Sequence, residues 1–205
     1  MEPSPSASGK ALSADGTRIA WSRQGDGPPL VIVDPLTADR NSSSTRALAQ
    51  LLSGNHTVYT YDRRGLGESD VGEEYTAESD VDDLLAVVQV AGGRADLYGF
   101  ASDAFLALRA AEESAVITRV VALEPALALD EGEDEMLVLQ TELEGLGSVQ
   151  VPVLVLAGSS SGEDTQDLAR RAADALEEGE FQLLEGNTAS VPEAALAEAI
   201  ESFLS

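Results

Sequence analysis

The chain has 205 residues and no cysteine, a single histidine (His56), a single tryptophan (Trp21) and a single lysine (Lys10). The absence of cysteine excludes disulfides and thiolate chemistry, and it fits a cytoplasmic location. No apolar run approaches the roughly 20 residues that a bilayer-spanning helix needs, so no membrane segment is expected. The first nine residues, Met1 to Gly9, lack both the basic stretch and the apolar core of a signal peptide, and residues 1–9 read as a short disordered leader. Positive charge is also scarce: 12 basic residues stand against 37 acidic ones, for a net charge of −25 and a pI near 4.1. A surface this negative repels polyanions, which argues against nucleic acid and anionic membrane as partners. A high-salt cytoplasm and a codon bias toward arginine and alanine both account for the balance, as solvated acidic faces that keep the protein soluble.

The hydrophobic content of 43% over 205 residues is enough for one sizeable core, so residues 10–205 are expected to form a single domain. Short apolar runs alternate with helical periods, the pattern of an α/β protein with a mostly parallel sheet covered on both faces. Strands are predicted near 10–13, 18–23, 29–34, 57–61, 95–99, 118–123, 152–157 and 180–184. Helices are predicted near 43–52, 77–91, 103–113, 134–145, 163–176 and 192–204. Glu163 and Asp164 fit the first turn of a helix, where acidic side chains complement the dipole.

Four stretches carry the pattern. The run Ala95-Asp96-Leu97-Tyr98-Gly99-Phe100-Ala101-Ser102-Asp103-Ala104 takes a short apolar strand through Gly99 into a helical pattern, which implies a very sharp turn. Residues 57–70, Thr-Val-Tyr-Thr-Tyr-Asp-Arg-Arg-Gly-Leu-Gly-Glu-Ser-Asp, place a buried strand before an Asp-x-Arg-Gly-x-Gly-x-Ser pattern. Downstream, Val151 to Gly158 is a late apolar strand, and Pro192 to Leu204 a terminal helix. Together these resemble the α/β-hydrolase fold family over residues 10 to 205, and the resemblance implies its sheet, a nucleophile elbow of the form Gly-x-Ser-x-Gly, and a serine-histidine-acid triad.

Against that pattern the chain departs at each chemical position. Ala101 stands where the elbow serine would be and Asp103 replaces the last glycine, so nothing at the apex can be acylated. The family carries its histidine between the last strand and the last helix; here the loop reads Gly186-Asn187-Thr188-Ala189-Ser190, with Ala189 in the histidine's register. His56 precedes the strand at Thr57, on the far side of the domain, and reads as an ordinary loop residue. The acid has no clean assignment. After the late strand the chain runs Gly158-Ser159-Ser160-Ser161, and Glu124 is a second carboxylate at the right edge of the sheet, although it suits a backbone-bonding role in the turn before Pro125. The loop Val33-Asp34-Pro35-Leu36 should supply an oxyanion donor, yet proline has no N–H. Ser102 keeps an N–H at the helix start, but its hydroxyl has no base to activate it.

Only about 25 residues separate the strand ending near Leu123 from the next, room for a single acidic helix and little else, so the family's lid is expected to be essentially absent and the cleft shallow and wet. Asp34, Pro35, Leu36, Phe100, Ala101, Ser102, Asp103, Glu124, Thr188 and Ser190 are the candidate cleft residues. Asp34, Asp103 and Glu124 would lie at neighbouring strand ends, where crowded carboxylates share a proton or hold a divalent cation; so acidic a chain produces such a cluster by chance, and neither a metal nor a cofactor is assigned. The expected role is therefore a non-hydrolytic ligand-binding or interaction protein, with a small molecule or a protein partner over the open cleft. A repurposed cyclase or isomerase acting through carboxylates is the alternative, and a weak esterase the third reading.

Overall fold

The computed structural model describes residues 6–33, 39–40, 45–73, 75–127, 134–187 and 191–205. Eight strands and six helices follow one another as β1 (Ser6–Leu12), β2 (Arg18–Gln24), β3 (Pro29–Ile32), α1 (Arg46–Leu52), β4 (Thr57–Tyr61), α2 (Ala77–Val90), β5 (Ala95–Phe100), α3 (Ser102–Glu113), β6 (Ile117–Leu123), α4 (Glu135–Leu146), β7 (Val153–Gly158), α5 (Glu163–Ala175), β8 (Gly179–Leu184) and α6 (Glu193–Phe203). All eight strands join one sheet in the order β1-β2-β4-β3-β5-β6-β7-β8. Only β2 runs against the rest, pairing antiparallel with β1 and β4, while every pairing from β4 to β8 is parallel.

Apolar alternation explains the layers. Val31, Tyr59, Tyr61, Leu97, Val120 and Val155 face α2, α3 and α5, where they meet Val81, Leu84, Leu108 and Ala169. Leu30, Ile32, Val58, Tyr98, Val121 and Leu156 face the other way and meet Leu48 and Leu52 of α1 and Leu196 and Ile200 of α6. A sheet buried on both sides needs near-continuous apolar strands, and Leu30–Val33 and Val153–Ala157 are buried throughout.

Two expectations change. β1 begins at Ser6, inside the segment read as a disordered leader: Ser6, Ala7, Ser8 and Gly9 pair with Gln24, Arg23, Ser22 and Trp21. Backbone pairing at a sheet edge needs no apolar side chains, and a Cβ at Gly9 would come within 2.9 Å of the Trp21 ring, so glycine lets the strand lie across the indole. The first helix starts at Arg46, later than predicted, after an N-cap at Thr45. Between β6 and β7 the one described helix is α4, as the short spacing required for a fold without a large lid.

Candidate functional site at the elbow

The chain moves from β3 outward to β4, then crosses back to β5 and continues through β6, β7 and β8. The reversal lies between β3 and β5, and the crevice outside the carboxyl ends of strands at such a point is where open α/β sheets bind ligands. Ala101 sits there, between the end of β5 and the start of α3. Its φ of 54° and ψ of −124° are unusual for a residue with a Cβ. Backbone bonds fix this turn from three sides: the Ala101 N–H donates to Leu123 O over 3.0 Å, while the Ala101 carbonyl accepts from Ala104 N–H at 3.1 Å and from Ala126 N–H at 3.2 Å. The tightness also explains Gly99, because a Cβ there would collide with the Asp103 carbonyl and lie 2.7 Å from the Ala104 Cα.

Ser102 is the first residue of α3, where a helix leaves its N–H without an intrahelical acceptor. Phe100 is half-buried and packs against the α1/α6 core. Asp103 is buried, and Arg63 Nη1 donates to its Oδ1 over 2.6 Å. Arg63 also forks onto Asp80 of α2, through Nε to Oδ1 at 2.8 Å and through Nη2 to Oδ2, and its Nη2 reaches the Tyr75 hydroxyl at 3.1 Å. Burial opposes the charge on Arg63, but the ion pair and hydrogen bonds to Asp80 outweigh that opposition and the guanidinium is held protonated. Burial and the hydrogen bond from its hydroxyl to Asp80 push Tyr75 up to about 12. Beside this network Arg64 makes a two-pronged contact with Asp83, at 2.7 and 2.8 Å, so the Asp-Arg-Arg motif anchors α2 and the start of α3 to the end of β4.

Glu124 ends β6 with a φ of 45° and is buried. Its N–H donates to Leu156 O at 2.7 Å, and its Oε1 accepts from Gly158 N–H at 2.8 Å and from the Ser161 hydroxyl. Glu124 thus bonds to the last residue of β7 and to the turn that follows it. That turn is stitched in addition to the loop before α6, through Ser160 N–H to Gly186 O at 2.7 Å. The ends of β5, β6 and β7 are therefore tied together around Ala101, and the loop before α6 starts beside them.

Of the three carboxylates placed at neighbouring strand ends, Asp34 lies outside the described residues. Asp103 is engaged with Arg63 toward β4 and Glu124 with Ser161 toward β7, because each strand end supplies its own nearer donor. Among the described residues no group of three or more acidic or histidine side chains is arranged to hold a metal ion. Asp34, Pro35, Leu36, Thr188, Ala189 and Ser190 lie outside the described residues. His56 is buried at the amino end of β4, on the opposite edge of the sheet from Ala101. Sequence reasoning missed Ser161 and the Arg63 link to Asp103; the doubled arginine in the Asp-Arg-Arg motif was the available signal for the second.

No family model matches the sequence, and no curated relative matches it by sequence. Solved structures do. An α/β hydrolase from Sphaerobacter thermophilus DSM 20745 superposes with a TM-score of 0.84 at 27% identity, over 96% of this chain and 100% of that one. The enol-lactonase from Burkholderia xenovorans LB400 gives 0.78 at 18%, over 96% and 99%. A bromoperoxidase from Bacillus anthracis gives 0.78 at 16%, over 97% and 99%. With the sheet order, the tight turn at the switch point and the Asp-x-Arg-Gly anchor already in place, these superpositions show that the chain has the α/β-hydrolase fold.

Proposed function

We propose that this protein is a non-hydrolytic member of the fold, a ligand-binding or interaction protein that uses the open cleft above Ala101. The observation that carries this reading is the side chain at the elbow apex, a methyl group on a backbone in the strained conformation of a nucleophile elbow. Acyl transfer needs a nucleophile there and a base to deprotonate it. Alanine supplies neither a lone pair nor a proton to remove, and the one histidine lies at the opposite edge of the sheet. The absence of cysteine accords with a cytoplasmic setting, and the negative surface with a small-molecule or protein ligand rather than a polyanion.

A second reading, a cyclase or isomerase acting through a carboxylate, has Glu124 in its favour: it is buried beside the elbow with a hydroxyl donor on its Oε1. Hydrolysis of p-nitrophenyl esters and labelling by a fluorophosphonate probe test the main reading. Neither is expected. Stoichiometric labelling mapped to Ser102 would overturn it.

A further inference from the structure

Toward the amino ends of the strands, on the opposite edge of the sheet from Ala101, a hollow of about 420 Å³ lies between α6 and the edge strand β8. Its size falls in the range of small-molecule sites, about 300 to 1,000 Å³. Strand register and helix spacing build it. Leu154 pairs with Glu180 and Leu156 with Gln182, so Glu180 and Gln182 stand on the face that the two leucines turn toward α6. Ala199, Ser202 and Phe203 fall at i, i+3 and i+4 of α6 and supply the opposite wall, with Pro152 and Leu154 as the floor. The loop that joins β8 to α6 departs from the far end of both elements.

One charge in this hollow is unmatched. Arg119 closes one end, but it is forked onto Asp96, through Nε to Oδ1 at 3.2 Å and through Nη2 to Oδ2 at 3.1 Å, and its Nη1 donates to Phe203 O at 3.3 Å. That pairing cancels its charge. Glu180, by contrast, is exposed and has no hydrogen bond or ion pair among the described residues, and the Gln182 and Ser202 side chains have none either. The hollow therefore presents a free carboxylate, an amide and a hydroxyl beside the hydrocarbon of Pro152, Leu154, Ala199 and Phe203.

We propose that this hollow binds a small primary amine with an apolar body, its ammonium held by Glu180, the Gln182 amide oxygen and the Ser202 hydroxyl, and its alkyl or aryl group laid on Pro152, Leu154 and Phe203. A primary ammonium has three N–H donors and no acceptor, and each of these three groups accepts. An anion is disfavoured, because the one positive side chain is already paired and the field of a chain with net charge −25 draws cations. A polyol or a polyamine would leave the hydrocarbon surface unused. The site is independent of the elbow and of the function proposed there.

The test is a titration of the full chain at physiological salt with phenethylamine, phenethyl alcohol and putrescine, followed by backbone amide NMR. Phenethylamine is expected to saturate in the millimolar range, as suits a single exposed charge contact, with shifts centred on Glu180, Gln182 and Ser202. Phenethyl alcohol lacks the charge and putrescine the apolar body, so both should bind more weakly. Glu180→Gln should weaken phenethylamine binding about threefold, and Gln182→Lys, which sets an ammonium of the protein's own beside Glu180, should abolish it. Glu177→Gln removes an equal charge outside the hollow and should change nothing. All three positions are exposed, and an unchanged amide spectrum elsewhere confirms the fold. Shifts spread over the acidic surface without saturation, affinity indifferent to Glu180→Gln, or the alcohol or putrescine binding as well as phenethylamine would each overturn the proposal.

Discussion

Arg63 Nη1 stands 2.6 Å from Asp103 Oδ1, beneath the elbow, and the same guanidinium holds Asp80 of α2. Asp103 is the second residue of α3, and the contact shows how the start of that helix accommodates a buried carboxylate: its side chain is the ion-pair partner of a buried arginine.

Asp103→Gly is therefore expected to destabilise the fold, although it restores the glycine of a working elbow. Removing one partner of a buried pair costs about 3 to 5 kcal/mol, and the lower end applies because Asp80 still compensates Arg63. Urea unfolding measures this. A variant as stable as the parent would mean that the Asp103 contact contributes nothing net.

Repair of the triad should then proceed with Asp103 in place. Ala101→Ser with Ala189→His should react with a fluorophosphonate, and neither change alone should, because the serine needs an imidazole to take its proton. Glu124 is a buried carboxylate beside Ala101 and the candidate acid, so adding Glu124→Gln is expected to slow labelling. A folded double variant with no reactivity would show that Ala189 is not in the histidine's place.

The apex itself carries a stability signature. A residue with a Cβ held at φ 54° and ψ −124° costs about 1 to 3 kcal/mol, and Ala101→Gly removes that cost while adding about 0.4 to 1 kcal/mol of unfolded-state entropy. The net expectation is a gain of about 1 kcal/mol, visible as a higher denaturation midpoint. A loss would mean that the Ala101 methyl packs well enough to offset its backbone.

Most of the architecture was legible because it rests on local pattern. Runs such as Leu30–Val33 and Val153–Ala157 announce buried strands, and Gly99 announces the elbow, since only glycine fits against Asp103 and Ala104. The pairing of Ser6–Gly9 was not legible, because an edge strand held by backbone bonds leaves no apolar trace. Nor was the division of the carboxylates. Asp103 at the start of α3 and Glu124 just after β6 look alike in sequence, but each takes the donor that folding brings nearest, Arg63 from 40 residues upstream and Ser161 from 37 downstream.

Acid should unfold the protein from below about pH 4. Asp15, Asp70 and Glu78 are all held below their ordinary range: Asp15 by the backbone N–H of Thr17, Asp70 by Arg18 and Lys10, and Glu78 by its own backbone N–H and the Thr76 hydroxyl. A carboxylate whose pKa is lower folded than unfolded contributes its full stability above the unfolded value, about 3.9 for Asp and 4.3 for Glu, and loses it as pH falls through the folded one. These three groups therefore contribute equally at pH 7 and pH 5, and the melting temperature should drop only on further acidification. Asp70→Asn should flatten part of that drop; an identical acid limb in the variant would remove Asp70 from the account.

Salt should act in the opposite sense to its effect on most exposed ion pairs. Added NaCl weakens contacts such as Lys10–Asp70 and Arg18–Asp70, but exposed pairs of this kind are worth about 0 to 1 kcal/mol each. The buried contacts of Arg63 with Asp80 and Asp103, and of Arg64 with Asp83, are shielded from bulk ions and change little. What remains is the mutual repulsion within a net charge of −25, which opposes the compact state and is screened as the Debye length shrinks from about 30 Å at 0.01 M to about 3 Å at 1 M. The melting temperature, followed by circular dichroism across that range, should rise with most of the gain at the lower concentrations. A flat or falling curve would show that the acidic residues are already compensated by the arginines or by bound cations.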